Sequence, residues 1–128
     1  AWPNTWRRAR FASAVDLINA DRLRREAMTM MAEKFENLDA VIGPNFAGNM
    51  LLITNYTGHP QLAFRSGFTD QPTRTIFGAP ADESEETFSV PHATSLWAPL
   101  LREDTVLALG YGIEQRLGAA QMRPPQFS

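Results

Sequence analysis

Few residues in this chain are able to do chemistry, and one segment gathers several of them: Thr54-Asn55-Tyr56-Thr57-Gly58-His59-Pro60. Asn55-Tyr56-Thr57 fits the acceptor pattern for N-glycosylation. Thr54 and Asn55 are also polar groups that can be aimed at a ligand, and they stand as the candidate substrate-binding residues. A third account needs no chemistry, since Gly58 ends a helix and Pro60 starts an extended segment. Nothing else in the sequence suggests secretion, which weighs against glycosylation. Elsewhere the only two histidines, His59 and His92, each lie beside a proline in a predicted turn. Neither has the spacing of a metal-binding pair, so no metal site is expected. Ser66 and Ser95 have no base beside them in sequence. The single lysine, Lys34, sits between Glu33 and Phe35 on a predicted helix. Any serine–lysine mechanism within this chain would run through it, yet its position suits an exposed charge. There is no G-x-S-x-G elbow, S-x-x-K box, G-x-G-x-x-G or P-loop. No catalytic residue and no cofactor are assigned.

The elements that would position these groups follow from periodicity and breakers. Phe11 to about Asn37 contains no Gly or Pro, and Ala20, Leu23, Ala27, Met31 and Phe35 recur at spacings of three and four, predicting a long helix with one apolar face. Leu38 to Ile42 is a short apolar run stopped by Gly43-Pro44 and predicts a buried strand. Gly48 to Thr57 predicts a short helix with Gly58 past its end. Gln61 to Phe64 predicts a strand leading to a turn at Ser66-Gly67, and Thr73 to Phe77 another strand. Residues 78–86, GAPADESEE, predict an exposed acidic loop. Phe88 to Val90 and Ala93 to Ala98 flank Pro91 and predict a strand that is interrupted or at an edge. Glu103 and Asp104 open a last helix running to about Leu117, with Gly118 at its end and a proline-rich tail at Pro124-Pro125 beyond it. The order implies an α/β fold, a mixed β-sheet covered by helices that starts with a long helix and ends with one.

A length of 128 residues predicts a single unit, residues 1–128. A formal net charge of −2 attracts neither nucleic acid nor an anionic membrane in bulk. No run of apolar residues is long enough to predict a membrane-spanning helix. The absence of cysteine excludes disulfides, thiolate metal sites and cysteine nucleophiles, and it favours a cytoplasmic setting. The opening Ala1-Trp2-Pro3 lacks Met and suggests that the segment belongs to something longer.

Four stretches together resemble the C-terminal part of an amidase signature family enzyme. They are the helix around Ala20-Asp21-Arg22-Leu23-Arg24-Arg25 leading to Asp39-Ala40-Val41-Ile42-Gly43-Pro44; the Thr54-to-Pro60 segment, similar to the family's Thr-Asn-x-x-Gly-x-Pro; Pro91 to Pro99; and the helix from Glu103-Asp104 to Glu114. Their order and spacing carry the resemblance, which covers nearly the whole chain. The resemblance implies a serine that attacks an amide carbonyl, and a lysine that manages the proton through a second, cis-linked serine. Those groups belong to a Gly/Ser-rich signature and an upstream lysine, both absent here. It therefore implies a fragment, inactive alone, whose partner is the N-terminal part of its parent or a second copy joined through an exposed apolar face. Asn55 would then be a polar anchor near the acyl pocket. Relatives that serve as the amidase subunit of tRNA-dependent amidotransferases carry Asp and Thr where this chain has Gly48 and Leu51. That departure points from glutamine toward a less polar amide. The competing expectation is a complete, non-enzymatic α/β binding or interaction domain.

Overall fold

The computed structural model describes residues 2–72 and 87–123. The expected strand at Thr73–Phe77, the acidic loop 78–86 and the Pro124-Pro125 tail lie outside those residues. The chain begins with a helix not anticipated from its sequence, α1 (Trp2–Ala9), whose Pro3 occupies a first-turn position where a missing N–H costs nothing. The long helix α2 (Ala14–Phe35) follows. Its start is fixed by a reciprocal cap: the Asp16 N–H donates to Ser13 Oγ at 3.1 Å, and the Ser13 N–H donates to Asp16 Oδ2 at 2.9 Å. These bonds, rather than burial, hold the Asp16 carboxyl below its ordinary range. Of the predicted apolar face, Phe35 is buried and Ala20, Ala27 and Met31 are half-buried, while Leu23 faces solvent.

Strand β1 (Val41–Pro44) begins later than expected and runs through Gly43 and Pro44, the pair predicted to stop it. It is an outer strand here, and Gly43 lies against the Trp97 ring, where an added Cβ would sit 3.3 Å from Cζ3. Helix α3 (Met50–Thr57) ends as predicted at Gly58, which takes a left-handed φ of 84° and donates its N–H to Thr54 O at 2.8 Å. Two bonds tie α3 to α2. The Tyr56 hydroxyl donates to Ala20 O, and Arg24 Nε donates to Tyr56 O at 3.0 Å. The second places a cation at the C-terminal end of α3, where the helix dipole favours it.

Strands β2 (Gln61–Pro72) and β3 (Thr87–Trp97) form a long antiparallel pair, and β1 joins the other side of β3, giving the order β1-β3-β2. Every neighbouring pair among the described strands is antiparallel, which corrects the expectation of a mixed sheet. The reason is topological. The β1-α3-β2 crossover makes the two outer strands run the same way, but β3 inserts between them. Ser66-Gly67 is not a turn either; it is a bulge, with the register slipping between Arg65 and Gly67 so that β2 continues to Pro72. Pro91 lies inside β3 opposite Phe68, in a stretch paired with β2 alone because β1 pairing ends at Thr94. The missing N–H is tolerated where no third strand needs it.

Helix α4 (Glu103–Leu117) covers one face of the sheet, with Gly118 as a left-handed cap and a short 3-10 turn (Ala119–Gln121) after it. Phe64, Leu96, Ala98 and Val106 form the buried cluster, with Ala40, Leu62 and Ile113 packed against it. Gly110 lets α4 approach β2, since a Cβ there would lie 2.1 Å from Leu62 Cδ2. Among the described residues no helix is long and apolar enough to cross a membrane. The general α/β class is therefore as expected, built on a small core.

Candidate functional site

The Thr54-to-Pro60 segment joins α3 to β2 and is fastened from within. Thr54 is 1% exposed, and its hydroxyl donates to Met50 O at 2.9 Å. Its carbonyl accepts the N–H groups of Gly58 and His59. Asn55 points the other way and is exposed. The structure thus separates the two candidate substrate-binding residues: Thr54 faces the protein interior and Asn55 faces outward. Thr57, the hydroxyl of the glycosylation pattern, is also buried and donates to Ile53 O at 2.8 Å.

His59 is the residue of this segment that sequence reasoning undervalued. It is buried rather than in an exposed turn, and its ring stacks on Phe35 at the end of α2, with centroids 5.6 Å apart and planes 18° from parallel. Its Nδ1 lies 2.7 Å from Thr57 Oγ1. Because the Thr57 proton is already directed at Ile53 O, His59 Nδ1–H is the donor in this contact. Burial pushes the imidazole below its ordinary pKa and keeps it neutral. The arrangement locks three elements together; a neutral ring with one nitrogen so engaged is a structural joint.

Two further polar groups were invisible in sequence because their members are far apart. Ser95 is fully buried in the central strand; its Oγ accepts from Gln61 Nε2 at 3.0 Å and donates to Asn45 Oδ1 at 2.9 Å. The chain Gln61–Ser95–Asn45 links β2 through β3 to the segment after β1. The second group forms at the bulge. Ser66 Oγ lies 3.1 Å from His92 Nδ1 and accepts the Thr94 hydroxyl at 2.8 Å. Ser66 therefore does have a histidine beside it, supplied by the neighbouring strand. A nucleophile activated this way needs its base oriented by a third group, and no carboxylate is hydrogen-bonded to His92 among the described residues. Lys34 is exposed on α2 and makes no hydrogen bond to a serine among the described residues. No group of three or more His, Asp or Glu side chains among the described residues is placed to hold a metal ion.

A last feature lies between β2 and α4, a cleft of about 440 Å³ lined by Leu62, Phe64, Arg65, Leu107, Tyr111 and Glu114 among others. Opposite charges and apolar side chains share this concave surface. Comparison of the chain with protein-family models, with curated proteins and with solved structures finds no match.

Proposed function

We propose that this chain is the C-terminal part of an amidase signature enzyme, an amide C–N hydrolase, and that it supplies sheet and covering helices to a catalytic site built elsewhere. The observation that carries the reading is the amount of apolar surface left uncovered around a small core. Phe46 is 81% exposed and Leu52 71%, and Ile42 and Leu107 are each more than half exposed. The sheet adds to this, because the outer sides of β1 and β2 are unpaired among the described strands. Such faces and edges are what a larger unit covers. The order of the four resembling segments says which larger unit. Thr54 braces α3 in this reading, and Asn55 is the residue left to face the acyl pocket. The absence of cysteine suits a cytoplasmic enzyme.

Three tests bear on the proposal. The gene sequence upstream of Ala1 is expected to encode a Gly/Ser-rich signature preceded by a lysine, and its absence would overturn the reading. The purified chain is expected to release no ammonia from aliphatic or aromatic amides. Release that disappears on Lys34→Ala would show a complete enzyme instead. Sedimentation at several concentrations separates the remaining class: the uncovered faces predict self-association, whereas a complete binding domain stays monomeric.

A further inference from the structure

Arg65, which lines the cleft between β2 and α4, has a guanidinium that is held in place but joined in no ion pair among the described residues. Arg65 Nη2 donates to Ala120 O at 2.8 Å, and its Cζ lies 5.3 Å from the Phe68 ring centroid. These two contacts hold the head group from different sides. Among the described residues its Nε is buried without an acceptor, and its Nη1 makes no hydrogen bond. A carboxylate is available close by, since Glu114 lines the same cleft, yet no ion pair joins them. An arginine and a glutamate on one concave surface that do not reach each other leave both charges to be met by something else. Leu62, Leu107 and Tyr111 add apolar groups to the same lining. Gly110, with no side chain, lets Leu62 pack directly onto α4. The volume falls within the range of small-molecule sites, which combine an apolar lining with a few placed polar groups.

We propose that this cleft binds a small α-amino acid with an apolar side chain. The ligand carboxylate meets Arg65 through Nη1, its ammonium meets Glu114, and its side chain lies on Leu62 and Leu107. A simple carboxylate would be opposed by Glu114 and a simple amine by Arg65, so the pair of charges selects the zwitterion. The site is independent of the amidase reading and survives if that reading fails.

The test is calorimetric titration of the whole chain with L-leucine, N-acetyl-L-leucine and L-leucinamide. Free leucine is expected to bind saturably. Each blocked compound, having lost one charge, is expected to bind about tenfold more weakly, equivalent to about 1.4 kcal/mol. Glu114→Gln should weaken leucine by a similar factor and abolish the preference for leucine over its N-acetyl derivative. Because Arg65 also holds the turn after α4, Arg65→Lys is checked for folding by circular dichroism, and Glu114→Gln serves as the decisive variant. The proposal is overturned if leucine shows no saturable binding up to its solubility limit. It is equally overturned if all three compounds bind alike, or if Glu114→Gln leaves the preference intact.

Discussion

Gly110 offers a quantitative test of how closely α4 lies on the sheet. An added methyl would stand 2.1 Å from Leu62 Cδ2, 3.5 Å from Leu62 Cγ and 3.8 Å from Leu96 Cδ1. The first distance is untenable, so Gly110→Ala forces Leu62 to another rotamer or lifts the helix. Such overpacking costs about 1–3 kcal/mol. Against it stands the gain of replacing a mid-helix glycine by alanine, about 0.8–1 kcal/mol. The balance runs from about zero to a net loss of about 2 kcal/mol, read as a lower urea midpoint with unchanged slope. The same substitution in a Leu62→Ala background meets no obstacle and should instead stabilise by about 1 kcal/mol. The two measurements then differ by a coupling of roughly 1–3 kcal/mol. Equal effects in both backgrounds would refute the packing argument, and a stabilising Gly110→Ala in the otherwise unchanged chain would mean that α4 rides higher than described.

Three further predictions follow from individual contacts. His59 has a depressed pKa in the folded chain, so the unfolded chain takes up its proton first as pH falls; its stabilisation is present above the ordinary value of 6.5 and is lost below it, through the depressed folded value. Urea midpoints should therefore fall as the pH is lowered from neutral through 6.5 and below, and a His59→Phe variant should show a shallower fall. Ser95→Ala leaves Gln61 and Asn45 without their shared partner in the sheet and should cost about 1–3 kcal/mol by denaturant unfolding, with an unchanged midpoint ruling out the network. Leu101 holds a left-handed φ of 62° with its side chain 84% exposed. Leu101→Asn should raise stability by about 0.5–1 kcal/mol, and a loss would mean that the leucine side chain has a packing role.

Local signals and their failures divide cleanly along physical lines. The last helix was legible to the residue, because Glu103 and Asp104 mark its start and Gly118 its end through backbone groups that act within one turn. The Gly58 cap of α3 was legible for the same reason. Ser66-Gly67 misled, since the same glycine signal serves a turn and a bulge, and only pairing with β3 decides between them. Gly43-Pro44 misled likewise, because pairing with Ser95 and Thr94 carries the strand past its breakers. The polar groups were hidden most completely. Asn45 and Ser95 meet across 50 positions and Ser66 and His92 across 26, so no local pattern can join them. His59 beside a proline gave a turn signal; its stacking on Phe35 depends on where α2 ends in space.

The placement of β3 has a consequence for how the chain acquires its structure. The strand in the middle of the sheet is the last of the three to be synthesised, and both of its neighbours precede it. Until residues 87–97 leave the ribosome, β1 and β2 lack the one strand that both pair with among the described residues, and joining β1 to β3 must close a loop that contains α3 and all of β2. Closing long loops before any pairing energy is recovered slows folding. The sheet should therefore appear late and all at once, once β3 is available to both of its neighbours.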